Sequence, residues 1–224
     1  DDYLNTLDGM IFGDGPEQGY VQGQKFAHPK LRFEFTVPPG FALRNNLERL
    51  TATSRKTGAT IVFDAAPEPF QGAMTAYLEN RWARGARVQQ LERITVNGMP
   101  GATAQLRGND PTGPLVIRLI AIRFNARSIY RFLFAAPPSA MRSLSAAFQR
   151  AMYSFRRLTP IQTKRLKPKI ISIVETDSGA SFEHLGRRMA FTNFQRERFN
   201  VLNGLEDATQ RTPDGRVKLV VRTR

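Results

Sequence analysis

A strict alternation of apolar and polar residues is the strongest structural signal in this sequence. It runs through Leu31–Val37, where every second side chain is apolar, and Pro38-Pro39-Gly40 ends it. Successive side chains of a β-strand point to opposite faces of a sheet, so this period of two predicts a strand with one buried face. The fold should therefore contain a sheet that covers a core on at least one side.

A hairpin is predicted around Asn97-Gly98, the dipeptide most typical of tight β-turns. Its strands are Glu92–Val96 and Ala102–Leu106, and Pro100 and Gly101 predict a turn longer than two residues. These strands extend the sheet begun by Leu31–Val37.

Other strands are predicted from their apolar content. Ala59–Phe63 is a short apolar run. Leu115–Phe124 and Ser128–Phe134 form a second hairpin around Asn125-Ala126, and they are apolar enough to lie at the centre of a sheet.

Two segments show helical periodicity, each with one apolar stripe. The first is Gly72–Arg87, with Met74, Tyr77, Leu78 and Trp82 in its stripe; the second is Ser139–Phe155, with Met141, Leu144, Phe148, Met152 and Phe155. We interpret both stripes as helix packing on the sheet, because an amphipathic helix buries its apolar side. An antiparallel sheet with packed helices predicts an α+β sandwich.

The last part of the sequence predicts a small β-α-α-β unit. Its strands are Ile170–Val174 and Val217–Val221, and its helices begin near Ser181 and Phe194. The expected organisation is an entry segment or linker at 1–24, with a helical turn near its start, a sandwich domain at 25–160, a basic linker at 161–167 and the β-α-α-β domain at 168–224.

The residues that catalysis needs are sparse. The sequence has no cysteine and two isolated histidines, His28 and His184, and it contains neither H-E-x-x-H nor G-x-S-x-G. A catalytic zinc site needs three protein ligands. We therefore expect no catalytic residue, metal site or cofactor in this sequence.

The formal net charge of +14 raises the question of an anionic partner. The basic residues are dispersed, and the densest run is Lys164–Lys169, which we interpret as a solvated linker. Dispersed charge disfavours a nucleic-acid site, where cations cluster on one face, and an anionic envelope surface is favoured over nucleic acid. No apolar run is long enough to span a membrane.

Two stretches near the start carry a family resemblance. They are Tyr3–Asp14, followed by Pro16 and Gly19, and Phe26-Ala27-His28-Pro29 with the Phe-x-Phe-x-x-Pro-x-Gly-Phe pattern of Phe33–Phe41. They resemble the region after the protease domain in TPR-associated bacterial zinc metallopeptidases. The resemblance implies a periplasmic or cell-envelope location, and an upstream protease domain that holds the zinc and is the partner of this region. Since the sequence begins with Asp1, we expect it to be part of a longer protein. The sandwich itself is similar to PsbP/Mog1-like domains, which are binding modules.

The tail resembles a LysM domain, the β-α-α-β module that binds peptidoglycan. The resemblance rests on Asp177-Ser178-Gly179-Ala180-Ser181-Phe182 at the first helix start, Phe199-x-x-Leu202-Asn203-Gly204 at the second helix end, and Gly215-x-Val217-x-Leu219-x-Val221 in the last strand. Departures are the altered Gly-Asp order and the acidic Glu206 and Asp207. The resemblance implies that a glycan or partner would contact Asp177, Ser178, Gly179, Ser181, Asn203 and Gly204.

The sequence thus predicts a non-catalytic accessory or binding region of a bacterial envelope zinc metalloprotease, which docks a partner, a substrate or the cell wall. The alternative is a free-standing module, either PsbP-like or a basic nucleic-acid binder.

Overall fold

The computed structural model describes residues 2–46, 48–176, 182–206 and 215–223, which form two compact units. The central unit is residues 21–163, and the terminal unit combines residues 1–20 with 164–224. Both units mix antiparallel strands with a few helices, so the predicted α+β class is confirmed.

A seven-stranded antiparallel sheet organises the central unit. Its strands lie in the order β4 (Ala42–Asn45), β5 (Leu50–Ser54), β6 (Ala59–Ala65), β10 (Ile129–Ala136), β9 (Gly113–Arg123), β8 (Met99–Asp110) and β7 (Gln89–Val96). The predicted hairpin strands β9 and β10 lie inside this sheet, as their apolar content indicated. A second sheet contains β1 (Tyr20–Gln22), β2 (Lys25–His28), β3 (Phe33–Thr36) and β11 (Arg156–Arg157). The expectation that the Asn97-Gly98 hairpin extends the sheet of Leu31–Val37 is therefore wrong, because β3 pairs with β2 and β11 and not with any strand of the long sheet.

The turn between β7 and β8 is shorter than predicted. Asn97 and Gly98 both have positive φ, 48° and 78°, and Val96 pairs directly with Met99. Two residues with positive φ close a hairpin without help from their neighbours. Pro100 is tolerated inside β8 because pairing with β9 begins only at Gly101, so no β9 acceptor needs the missing N–H.

The long sheet is covered on both faces. One face packs against β2, β3 and α3 (Pro138–Ser154), which matches the second predicted helix. Its core is aromatic; the largest fully buried side chains there are Phe33, Phe35, Phe132, Phe134 and Phe155. The other face packs against α2 (Met74–Tyr77) and the π-helical turn Leu78–Trp82 that continues it. The first predicted helix, Gly72–Arg87, is therefore shorter than expected.

Glu34 is a buried carboxylate with two cationic partners. Its oxygens lie 2.6 Å from Lys25 Nζ on β2 and 2.5 Å from Arg156 Nη2 on β11. A buried charge is tolerated when it is paired. Glu34 thus ties together the three strands of the smaller sheet on which it and its partners lie.

The terminal unit has the predicted β-α-α-β order. It contains β12 (Lys169–Glu175), α5 (Phe182–Arg187), α6 (Gln195–Asn203) and β13 (Arg216–Arg222), and the two strands pair antiparallel. Its core contains Phe182, Leu185, Met189, Phe199, Leu205, Val217, Leu219 and Val220. From β12, Val174 packs against this core.

Residues near the start of the sequence also belong to the terminal unit. The short helix α1 (Asp2–Leu7) precedes a segment that runs along β12. The N–H of Gly9 donates to the carbonyl of Ile171, the N–H of Ile171 donates to Met10, and Ile11 bridges Ile170. The segment assigned to an entry linker therefore covers part of an edge of the small sheet, where unpaired backbone groups would otherwise be exposed.

A helix also occupies part of the predicted basic linker. It is α4 (Pro160–Arg165), which opens with a capping box: Thr159 Oγ1 accepts from the N–H of Gln162, and Gln162 Oε1 accepts from the N–H of Thr159. Proline is favourable in the first turn, so Thr-Pro-x-Gln is the signal that the sequence analysis missed.

Candidate functional site

The glycan-site residues predicted from the LysM resemblance fall into two groups. Asp177, Ser178, Gly179 and Ser181 lie outside the described residues. Asn203 and Gly204 are described, and they lie at the end of α6.

The Asn203 side chain joins α6 to β13. Its amide nitrogen donates to the carbonyls of Phe199, at 2.9 Å, and Lys218, at 3.0 Å, and its oxygen accepts from the N–H of Lys218 at 2.7 Å. Both amide hydrogens are therefore used inside the unit. Gly204 ends the helix with φ of 66°, and its N–H donates to the carbonyls of Asn200 and Val201. These contacts give both residues a structural role, and their part in glycan binding stays a prediction.

The central unit contains an aromatic cleft that the sequence analysis did not predict. We call it the Trp82 cleft, and it encloses about 440 Å³ on the α2 face of the long sheet. Its lining residues come from three separate parts of the chain and are Pro67, Glu68, Pro69, Phe70, Tyr77, Arg81, Trp82 and Arg131.

Arg131 lines the Trp82 cleft and is fixed there by Asp64. It lies on β10 directly opposite Asp64 on β6, and its Nε and Nη2 donate to the Asp64 carboxylate at 2.6 and 2.5 Å. The guanidinium carbon lies 4.9 Å from the Trp82 ring centroid, and Nη1 lies 3.4 Å from the Tyr77 hydroxyl. Burial alone would lower the pKa of Arg131, but the hydrogen bonds and charge of Asp64, helped by Tyr77, raise it. The arginine therefore stays charged and fixed against both aromatic rings.

A second arginine, Arg123, fixes the loop that carries Phe70 of the Trp82 cleft. Arg123 on β9 donates from Nη1 to the carbonyl of Phe70 at 2.6 Å and from Nη2 to the carbonyl of Gly72 at 2.7 Å. These bonds fix the loop that brings Phe70 to within 5.5 Å of Tyr77, measured between ring centroids. Trp82, which also lines the cleft, ends the π-helical turn. Such turns are rare and frequently occur at functional sites.

The side chains that line the Trp82 cleft are suited to binding by apolar and charged contacts. Three aromatic side chains and two prolines give apolar contact surface, and exposed Glu68 and Arg81 give one charge of each sign. Ligand sites are commonly preformed apolar concavities with a few placed polar groups.

A second groove lies between α3 and strands β7 to β10, with about 340 Å³ of space. Its walls mix apolar side chains with Glu92, Thr103, Arg118 and Gln149. Arg118 reaches Gln90 only at 3.5 Å, the limit for a hydrogen bond. Since a long contact fixes a side chain weakly, this groove is less preorganised than the Trp82 cleft.

Neither metal ligation nor membrane spanning is indicated by the described residues. Within them, no three His, Cys, Asp or Glu side chains are grouped so that they could hold a metal ion. His28 is buried, and its Nδ1 lies 3.2 Å from the N–H of Leu31, whereas His184 is exposed on α5. No helix in the described ranges is long and apolar enough to cross a membrane.

Comparison with known proteins gives similarity at the level of fold. No protein-family model matches the sequence, and no curated protein sequence matches it. The chain is similar to the solved structure of cyanobacterial PsbP from Synechocystis sp. PCC 6803, with 14% identity, a TM-score of 0.45 and coverage of 64% of this chain and 99% of that one. It is also similar to the Ran-binding protein Mog1p of Saccharomyces cerevisiae, with 12% identity, a TM-score of 0.43 and coverage of 64% and 99%.

A third similar structure is LpqN of Mycobacterium tuberculosis, described as involved in cell envelope biogenesis. It shares 10% identity with a TM-score of 0.44, and 70% of this chain and 96% of that chain are covered. Similarity at this level carries no information about ligand or activity.

The Trp82 cleft is not predicted by the sequence pattern, because Trp82 belongs to the apolar stripe of Gly72–Arg87. Met74, Tyr77 and Leu78 of that stripe are buried in the core, but Trp82 is only half-buried. Eight residues of α-helix rotate a side chain by about 80° from the first, so Trp82 was already at the margin of the stripe. The nearby Pro67-Glu68-Pro69 loop was the other available signal.

Proposed function

We propose that the chain is a non-catalytic binding region whose central unit binds an extended, proline-containing polypeptide segment in the Trp82 cleft. The observation that carries the proposal is the preorganisation of an aromatic surface by Arg131 and Arg123. Because the walls of the cleft are fixed before binding, the protein loses less conformational entropy when a ligand docks.

The chemistry of the Trp82 cleft favours a peptide over a sugar. Aromatic-lined grooves bind polyproline II segments, which are already extended and lose little entropy on binding. Sugars also stack on tryptophan, but their hydroxyls need uncommitted hydrogen-bonding groups. In this cleft Arg131 is committed to Asp64, and the exposed polar groups that remain, Glu68 and Arg81, are suited to charges on a peptide.

The sequence provides its own probe for this test, because Trp82 is its only tryptophan. We expect its fluorescence to shift on titration with a short peptide that has proline at every third position, and not with the matched peptide in which alanine replaces proline. Calorimetry should show that Trp82→Ala weakens binding about tenfold or more, as for an aromatic anchor. The control is Tyr153→Ala, which removes an exposed aromatic side chain outside the cleft and should leave affinity unchanged.

Two results would contradict the peptide proposal. One is a shift of Trp82 fluorescence with chitooligosaccharide and not with the proline peptide, which would make the cleft a sugar site. The other is peptide binding that Trp82→Ala leaves intact, which would place the peptide elsewhere.

The biological setting that we propose is an accessory region of a periplasmic zinc metallopeptidase, which holds substrates or partners for a protease domain upstream. The support is the resemblance carried by Tyr3–Asp14 and Phe33–Phe41. The coding sequence on the upstream side tests this setting, and a gene that lacks an H-E-x-x-H motif and a signal peptide would refute it. Peptide binding in the Trp82 cleft does not depend on this setting.

For the terminal unit, the LysM resemblance proposes docking to peptidoglycan. If these residues bind glycan, titration with chitooligosaccharide should shift the amide NMR signals of Asn203 and Gly204 together with those of residues 177–181. If no shifts occur at millimolar sugar, the unit is an interaction or structural module without glycan affinity.

A further inference from the structure

The terminal unit brings three cations together at one end of its sheet. Lys169 begins β12, Arg222 ends β13, and the two residues are direct cross-strand partners. Arg198 comes from α6. Lys169 Nζ and Arg198 Cζ lie 4.7 and 4.5 Å from the centroid of the same ring, Phe191. We call Lys169, Arg198 and Arg222 the basic cluster.

The charges of the basic cluster are poorly compensated. Like charges on directly opposite strand residues are destabilising. Burial lowers the pKa of Lys169, and the neighbouring Arg222 and Arg198 lower it further, while Asp14 acts in the opposite direction. Within the described parts of the chain, no member of the cluster forms an ion pair. An external anion would relieve this repulsion.

Exposed apolar side chains adjoin the basic cluster on α6. Phe194 is 67% exposed and Val201 is 83% exposed. Val201 lies three residues after Arg198, a spacing that places the two side chains next to each other on α6. Phe194 is the residue just before α6, and its carbonyl accepts from the N–H of Arg198 at 2.9 Å. Phe194 also has φ of 55°, a left-handed conformation that is unfavourable for a bulky residue. Folding alone gives no reason for a strained backbone that holds an aromatic ring in solvent.

We propose that this face of the terminal unit docks on an anionic lipid membrane surface. The basic cluster would contact headgroup phosphates, and Phe194 and Val201 would enter the boundary between headgroups and acyl chains. Peripheral binding of this kind combines buried apolar area with attraction of Lys and Arg to anionic lipid. The exposed residues Lys164, Arg165 and Lys167 belong to the same unit, lead directly into Lys169 and add positive charge.

Lipid is favoured over nucleic acid because exposed apolar side chains, Phe194 and Val201, lie near Arg198 in the chain. Phosphate contacts alone would suit either polymer. Bases stack on aromatic rings, which Phe194 could provide, but they gain little from Val201, the most exposed of the large apolar side chains described. The boundary between lipid headgroups and acyl chains can accommodate both Phe194 and Val201.

Vesicle co-sedimentation of the full chain tests the proposal. We expect binding to phosphatidylcholine vesicles that contain about 30 mol% phosphatidylglycerol, weak binding to pure phosphatidylcholine, and loss of binding at high salt. Arg198→Gln should weaken partitioning about fivefold, and the triple variant Lys169→Gln, Arg198→Gln, Arg222→Gln about a hundredfold. The double variant Phe194→Ser, Val201→Ser should weaken it about tenfold.

Matched controls separate this surface from general charge and apolarity. The triple variant Arg107→Gln, Arg142→Gln, Arg150→Gln removes the same charge from exposed positions of the central unit, and it should change partitioning less than threefold, about the scale of diffuse charge effects. Ile161→Ser removes a side chain that is 66% exposed and should have no effect. Circular dichroism confirms that each variant is folded.

Three results would overturn the proposal. If both triple variants lose binding equally, net charge alone is responsible. If the Phe194 and Val201 substitutions have no effect, no apolar insertion occurs. If duplex or single-stranded DNA binds at physiological salt while vesicles do not, the surface is a nucleic-acid site.

Discussion

Arg131→Met should weaken the central unit by removing the fixed guanidinium beneath Trp82. The substitution keeps most of the apolar stem and removes the two charge-assisted hydrogen bonds to Asp64. It also removes the cation 4.9 Å from the Trp82 ring centroid. The Asp64 carboxylate would remain at a position where it is only 24% exposed.

The size of the effect follows from this intermediate burial. Breaking a fully buried pair costs about 3–5 kcal/mol, and an exposed pair contributes about 0–1 kcal/mol. The Arg131 side chain is 15% exposed, so the pair is closer to the buried case. Together with the lost contact to Trp82, worth about 0.5–1 kcal/mol, we expect a loss of about 3 kcal/mol in the free energy of unfolding.

Urea unfolding followed by tryptophan fluorescence measures this loss. The single tryptophan lies in the central unit, so its emission reports on that unit. The midpoint should fall with little change in slope, because the surface exposed on unfolding is nearly the same.

A double-mutant cycle with Asp64→Val decides whether the pair is responsible. Asp64→Val alone should cost about 2 kcal/mol by leaving Arg131 without its carboxylate. The double variant should cost about 3 kcal/mol in place of the sum of about 5, since no unpaired charge remains in it. Simple additivity of the two single effects would refute the account of Arg131 as a residue fixed by Asp64.

Three further predictions concern other parts of the fold. Asn203→Ala should destabilise the terminal unit by about 2–3 kcal/mol, because the backbone N–H and carbonyl of Lys218 lose their hydrogen bonds to the Asn203 side chain. Hydrogen exchange of the β13 amides should then accelerate, and unchanged exchange would contradict the structural role of Asn203. Gly101→Ala should cost about 2 kcal/mol by thermal unfolding, because a Cβ would lie 2.8 Å from the carbonyl oxygen of Ala121, and an unaffected melting temperature would show that β8 and β9 can separate slightly. Burial raises the pKa of Tyr130 to about 12, so the stability that its protonated form contributes is complete below pH 10.0 and is lost as the pH rises towards 12. Ultraviolet titration of the tyrosines should show a step near pH 12 that Tyr130→Phe abolishes. A variant that unfolds at the same alkaline pH as the original protein would disprove the link to stability.

Local pattern was sufficient to predict most elements of both units. The alternation at Leu31–Val37 and the turn residues Asn97-Gly98 act through neighbours in the chain, and both appear in the structure as β3 and the β7–β8 turn. Helix α3 and the β-α-α-β order of the tail likewise follow from periodicity and from stop signals such as Gly204.

The predicted helix Gly72–Arg87 shows where local pattern becomes insufficient. Its apolar stripe predicted an α-helix through Gly72–Arg87, but the backbone forms one α-turn and then a π-turn that ends at Trp82. An inserted π-turn rotates the side chains that follow it, and this is a response to packing against the sheet that periodicity does not encode.

The sequence by itself determined the α+β class, the strands of the predicted hairpins and the apolar face of α3, because these depend on residues a few positions apart. Only the tertiary structure decided which distant segments meet: residues 9–12 beside β12, Arg131 beneath Trp82, and Lys169 beside Arg198. These contacts join residues tens to more than a hundred positions apart. They depend on strand order and register in the folded chain, and a pattern of neighbouring residues carries no record of either.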